Sequence, residues 1–187
     1  MNVDILEASA KIHVRGKQHD NTTRSLSHYP SFCKNKIRIV MTPEQVLERY
    51  YYQGWNKADT SILKELVDEN VKFRAVFSRR PKRGIDTLLS YFDSTRQALS
   101  KYTFEIEEMI VSKDGTKASV RVSCRGMHTG NFFGMKGSGH EIHFEAAAFF
   151  HFSPTSGCIT DINVIGDLDS IKRQIGIDSA EAAPFET

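Results

Sequence analysis

Gly126-Met127-His128-Thr129-Gly130-Asn131-Phe132-Phe133-Gly134 leads into Ile142-His143-Phe144-Glu145-Ala146-Ala147-Ala148-Phe149-Phe150-His151-Phe152, and the chain then runs through Ile159 to Ile165 and Asp167 to Gln174-Ile175-Gly176. The middle segment alternates strictly. Ile142, Phe144, Ala146, Ala148, Phe150 and Phe152 share one face, and His143, Glu145, Ala147, Phe149 and His151 share the other. Such a period of two is that of a strand with one side on a core. Pro154-Thr155-Ser156-Gly157 supplies the next turn, and a strand from Cys158 to Ile165 follows. On the upstream side Ala118, Val120, Val122 and Cys124 face one way, with Arg121, Ser123 and Arg125 opposite. If that alternation holds, His128 lies on the apolar face. Lys113-Asp114-Gly115-Thr116 joins this strand to one carrying Tyr102, Phe104 and Ile106. The phase of that strand slips near Glu107-Glu108, which predicts a bulge.

Helices precede the hairpins. Thr42-Pro43-Glu44-Gln45 is a helix start: Thr42 caps, proline suits the first turn, and Gln45 can reach back. Val46, Leu47, Tyr50, Tyr51 and Trp55 then form one helical face. Asn56-Lys57-Ala58-Asp59 breaks the helix, and Asp59 can cap a short second one ending at Leu66. Val71, Phe73, Ala75 and Phe77 alternate as a strand, and Ile85, Leu88, Leu89, Phe92 and Leu99 mark a third helix. Between them Arg79 to Gly84 is strongly basic, which suits a solvated turn or an anion contact. Three helical segments followed by long hairpin strands give the α+β class.

Composition bounds the function. The 187 residues suffice for one domain with a sizeable core, expected over 42–177, with a polar extension over 1–41 and a short acidic tail over 178–187. The extension reads as loosely ordered rather than as a transit peptide, because Asp4, Glu7 and Asp20 interrupt it; Met41 is a plausible alternative start. A net charge of +2, from 25 basic and 23 acidic residues, gives no global nucleic-acid footprint. Cys33, Cys124 and Cys158 are odd in number and widely spaced, so neither a disulfide scaffold nor a cysteine zinc site is expected. No apolar run approaches the ~20 residues of a membrane span. A reducing, cytoplasmic setting is the expectation.

The quoted stretch resembles a known family. Gly126-Met127-His128-Thr129-Gly130, with Phe132, Gly134, Ser138 and Gly139, is similar to the G-T-H-x-G-x-F-x-G-x-x-P-T-G segment of SnoaL-like polyketide cyclases, members of the NTF2-like superfamily. Asp167 with Gln174-Ile175-Gly176 is similar to that family's late D…Q-L-G ending. The resemblance covers roughly Thr42 to Gly176. It implies an NTF2-like cone, a curved antiparallel sheet wrapped over about three helices with a pocket between. It also implies cofactor-free acid–base chemistry, either ring closure or isomerisation, on a carbonyl-bearing apolar small molecule. Pairing of two copies through the sheet, as a homodimer, is a further implication. Two departures fall on the implied pocket lining. Asn163 and Gly166 replace the family's tryptophans, and Gly137-Ser138-Gly139-His140 replaces its P-T-G-K loop.

Candidate residues follow. A carboxylate at a strand end facing an apolar cavity would be desolvated and able to exchange a proton near neutrality. Asp167 stands where the resemblance puts the family's proton-transferring aspartate, yet Asp is also a favoured helix cap, and both roles stay open. His128 can contact a substrate carbonyl, orient Asp167, or bond the backbone of its own turn. Asn163, in strand parity with Asp161 and Asp167, can bind substrate or lie on a plain surface face. Tyr51 and Trp55, one helical turn apart, serve either as pocket wall or as ordinary core, and His140 is a candidate substrate contact. Metal is not expected, because His128, His140, His143 and His151 show no helical H-x-x-x-H spacing. No serine elbow, P-loop or dinucleotide fingerprint occurs, and Cys124, in a valine-rich strand, reads as a buried inert thiol. The rival reading is a non-catalytic ligand-binding or scaffold domain of the same fold.

Overall fold

In a computed structural model the structure describes residues 41–177 except positions 77 and 79. The expected extension before Met41, the acidic tail and Phe77 of the first strand therefore lie outside the described residues. Thr42 forms the predicted capping box: its hydroxyl accepts from Gln45 N, and Gln45 Oε1 accepts from Thr42 N at 3.0 Å. Helix α1 (Pro43–Glu48) runs on as a π-helical segment, Arg49–Trp55. The wider turn buries Tyr50, Tyr51 and Trp55 together, and a regular helix would spread these side chains further round its axis. Asp59 caps α2 (Thr60–Leu66), accepting from Ser61 N at 2.9 Å. Strands β1 (Val67–Arg74) and β2 (Lys82–Arg83) come next, then α3 (Ile85–Ala98). The long strands are β3 (Leu99–Val111), β4 (Lys117–His128), β5 (Glu141–Phe152) and β6 (Ile159–Gly166); α4 (Leu168–Gln174) follows.

These six strands form one curved, unclosed sheet in the order β2-β1-β6-β5-β4-β3. The hairpin strands pair antiparallel, but β1 and β6 pair parallel, Phe73 opposite Ile162 and Arg74 opposite Asn163. The curved, mainly antiparallel sheet is the one expected, and the parallel β1–β6 pair is the detail the local pattern does not give. Tight turns force consecutive strands to reverse, whereas β1 and β6 are far apart in the chain and no turn dictates their relative direction. The predicted slip in β3 is present between Ile106 and Glu108. A second, unpredicted one lies between Ser100 and Thr103, where Lys101 takes φ 52°.

Alternation sorts the two faces as read from the sequence. Val120, Val122, Cys124, Ile142, Phe144 and Phe150 are buried, while Arg121, Glu145 and His151 are exposed. The helices close over this inner face and are fastened at their ends. Asn56 Nδ2 donates to Phe104 O at 2.9 Å, and Phe104 N donates back to Asn56 Oδ1 at 2.8 Å. Arg96 Nη1 donates to Trp55 O at 2.8 Å. Among the described residues no helix is long and apolar enough to cross a membrane.

Candidate functional site

Between the π-helical segment, α3 and the inner face of the sheet lies a cavity of about 50 Å³. Aromatic rings make most of the wall. Tyr51 and Trp55 enter from the π-helical segment, Tyr91 from α3, Tyr102 and Phe104 from β3, and Phe144 from β5. Tyr102 and Phe104 meet edge to face with centroids 4.8 Å apart, as do Trp55 and Phe104 at 5.3 Å, and Tyr51 lies tilted against Phe104 at 5.2 Å. Such contacts hold an apolar wall in fixed geometry. Ala146, Val122, Ile162 and Val164 form the sheet side. Burial pushes the phenols of Tyr51 and Tyr102 well up and that of Tyr50 to about 12, so all three keep their protons near neutrality. It raises the Cys124 thiol to about 12, as expected for an inert cysteine, although Cys124 also lines the cavity.

The residues singled out from the sequence divide. Tyr51 and Trp55 line the cavity. Asn163 lies at its edge, where its Oδ1 accepts from Nε of Arg74, a residue of the lining, at 2.8 Å. Asp167 is exposed and caps α4, accepting from Ser170 N at 2.8 Å. It follows Gly166, whose Cα would place a Cβ 3.1 Å from Val76 and 3.4 Å from Ala146, both of the cavity wall. Asp167 thus stands one residue past Gly166, at the rim rather than in the lining, and its carboxylate caps α4.

His128 is fully buried, at 0% exposure, but is absent from the lining. Its Nδ1 accepts from Ser138 N at 3.3 Å and lies 3.1 Å from Ser138 Oγ. Accepting there leaves the ring proton of the neutral tautomer on Nε2, which is buried without a hydrogen-bond partner among the described residues. Its backbone also holds the loop, with His128 N donating to His140 O at 2.9 Å and Gly139 N to His128 O at 2.8 Å. His140 itself is exposed. The glycine-rich segment therefore folds onto itself and onto α3, whose last turn it caps: Thr129 N and Gly130 N both donate to Ala98 O, at 3.1 and 3.0 Å. Asp167 and His128 do not converge on the cavity; the tyrosines do.

Reading the sequence missed Tyr91, Tyr102 and Arg74 as lining residues. Tyr102 and Arg74 belong to ordinary strand alternation, and nothing in their local pattern separates cavity from core. Among the described residues no group of three His, Cys, Asp or Glu side chains is placed to hold a metal ion.

Comparison with known proteins agrees with this architecture. The family model described as SnoaL-like polyketide cyclase matches residues 45–175. Among solved structures, a candidate SnoaL-like polyketide cyclase from Jannaschia sp. CCS1 superposes with a TM-score of 0.65 at 16% identity, covering 78% of this chain and 100% of that one. TsrD from Streptomyces laurentii gives 0.63 at 18% identity, over 72% of this chain and 95% of that one. IdmH from Streptomyces antibioticus, a candidate polyketide cyclase, gives 0.61 at 18% identity, over 72% and 98%. At these identities the structures establish a shared fold. Among curated proteins no sequence matches this chain.

Proposed function

Because the chain belongs to the SnoaL-like polyketide cyclase family, we propose that it takes a carbonyl-bearing, largely apolar small molecule of polyketide-like character into the aromatic cavity and promotes ring closure or isomerisation by acid–base chemistry, without a cofactor. The observation that carries this reading is the cavity itself: an aromatic wall whose polar groups among the described residues are phenols, the Trp55 indole, a thiol and the Arg74 guanidinium. In this reading Asp167 exchanges the substrate's proton at the β6 rim, and Tyr51 and Trp55 press the substrate toward its reactive conformer. His128 fastens the loop beside the site, and Asn163 steadies Arg74 at the edge. One observation favours a second reading, binding without turnover: no carboxylate or imidazole is among the described residues of the lining.

Exchange of the α-protons of 2-tetralone in D2O, followed by proton NMR, separates the two. The enzyme reading expects exchange above the buffer rate, reduced ~10²- to 10⁴-fold by Asp167→Asn, the range of a positioned acid–base group. Quenching of Trp55, the single tryptophan of the chain, without added exchange leaves the binding reading in possession.

We also propose that two copies pair through the outer face of the sheet. Ile110, Phe149 and Ile165 are 62%, 43% and 53% exposed there, and the register sets Ile110 and Phe149 both opposite Ser119. Sedimentation equilibrium should give a dimer that Phe149→Glu dissociates; a monomeric parent protein rules the pairing out.

A further inference from the structure

Two irregularities of the backbone aim at one spot. The π-helical segment buries Tyr50, Tyr51 and Trp55 together, where five residues of regular helix would set Tyr50 and Trp55 about 140° apart. On the facing strand, the shift between Ser100 and Thr103, with Lys101 in the left-handed region at φ 52°, rotates Tyr102 into the interior. A bulge of this kind re-aims a side chain, and the left-handed lysine costs energy that a plain core residue would not require. Gly126 completes the arrangement, because a Cβ there would stand 3.1 Å from the Tyr102 ring. The rings of Tyr51 and Tyr102 both pack on Phe104, at 5.2 and 4.8 Å between centroids, and with Cys124 they line the same cavity. Burial comes first in holding Tyr51, Tyr91 and Tyr102 protonated; Cys124 is a charge neighbour of all three, and Tyr102 also shares a hydrogen bond with it. Burial and these neighbours, with no hydrogen bond, act on the Tyr51 hydroxyl among the described residues.

We propose that the hydroxyls of Tyr51 and Tyr102, beside Cys124, form an oxygen-binding end of the cavity, so that the ligand is a ring compound entering with a ketone oxygen foremost. The inference rests on the cavity being the ligand site and adds which atom leads and what holds it. Phenols kept protonated by burial can only meet such an oxygen as neutral donors. Arg74, the single charged residue among the described residues of the lining, is engaged through its Nε by Asn163, whereas the phenols are neutral donors. A ketone oxygen offers two lone pairs to two O–H donors. If the ligand enolises, the α-C–H proton passes to a base, the C–H pair becomes the enolate C=C, and the π pair settles on that same oxygen. The donors then strengthen as its charge grows, while keeping their own protons.

The test compares 2-tetralone with tetralin, the hydrocarbon of nearly the same shape, by isothermal titration on the parent protein, Tyr51→Phe and Tyr102→Phe. The parent is expected to bind the ketone about 10-fold or more tightly than tetralin. Each variant should lose about 3- to 10-fold for the ketone, the range of one hydrogen bond, with tetralin unchanged. Carbonyl-labelled 2-tetralone gives a second readout, a downfield 13C shift in the bound parent that diminishes in each variant. Equal affinities for the two ligands, equal losses for both in the variants, or no downfield shift in the parent overturns the oxygen-binding end and leaves the cavity reading standing. Failure of the parent to bind either compound overturns the cavity reading and this inference with it.

Discussion

Ala146→Trp is expected to abolish ligand binding, lowering affinity for 2-tetralone by about 100-fold or more, which corresponds to ~2.8 kcal/mol. Ala146 lies on the inner face of β5, buried, opposite Val122 on one side and Gly166 on the other. It is the smallest side chain of the sheet wall at the point where the β6 rim comes closest. An indole there fills the space between the sheet and the π-helical segment, so the ligand has to displace a packed ring. Overpacking of this kind costs stability, typically about 1–3 kcal/mol, so melting is followed in parallel. Ala147→Trp is the control: it faces the outer side of the same strand and should leave affinity within about twofold, since surface substitutions are usually near neutral. Unchanged affinity in Ala146→Trp would place the ligand somewhere other than this cavity, and the tyrosine assignments would fall with it.

Gly130→Ala should destabilise the fold by about 3 kcal/mol. A Cβ at position 130 would stand 2.1 Å from Gln97 O and 3.0 Å from Ala98 Cα. These are backbone atoms of the last turn of α3, so no side chain can swing aside. The clash also drives apart the two N–H donors that Thr129 and Gly130 offer to Ala98 O. Gly134→Ala is the comparison. Its φ of +82° favours glycine, but a Cβ there meets nothing within 4 Å, and about 1 kcal/mol is expected. Urea denaturation of both variants reads the difference. Equal losses would mean that backbone conformation, not close approach to α3, explains the glycine at 130.

These expectations bear on what the G-x-H-x-G signature does in this chain. Gly126 leaves room for Tyr102, His128 ties the loop through Ser138, and Gly130 lets the loop cap α3. Each acts on the wall of the cavity from behind. The signature is then a device for building the pocket.

The sequence by itself determined the elements and their faces. Period-two alternation in β4 and β5, the capping box at Thr42, the cap at Asp59 and the slip at Glu107-Glu108 each depend on neighbours within a few residues, and each stands in the structure where local physics put it. It also determined the family, because the signature and the late aspartate lie at a characteristic spacing. Tertiary structure alone decided which buried residues line space and which fill it. Tyr51 and Tyr102 are 51 positions apart by number, and whether both reach the same cavity depends on packing between distant elements, not on local propensity. The same holds for Asp167 and His128. A strand-end carboxylate reads alike whether it faces a cavity or caps a helix. Only the placement of α4 against β5, through Gln174 bonded to His143 N and O at 2.8 and 2.7 Å, sets which way the chain leaves β6 and hence where that carboxylate stands.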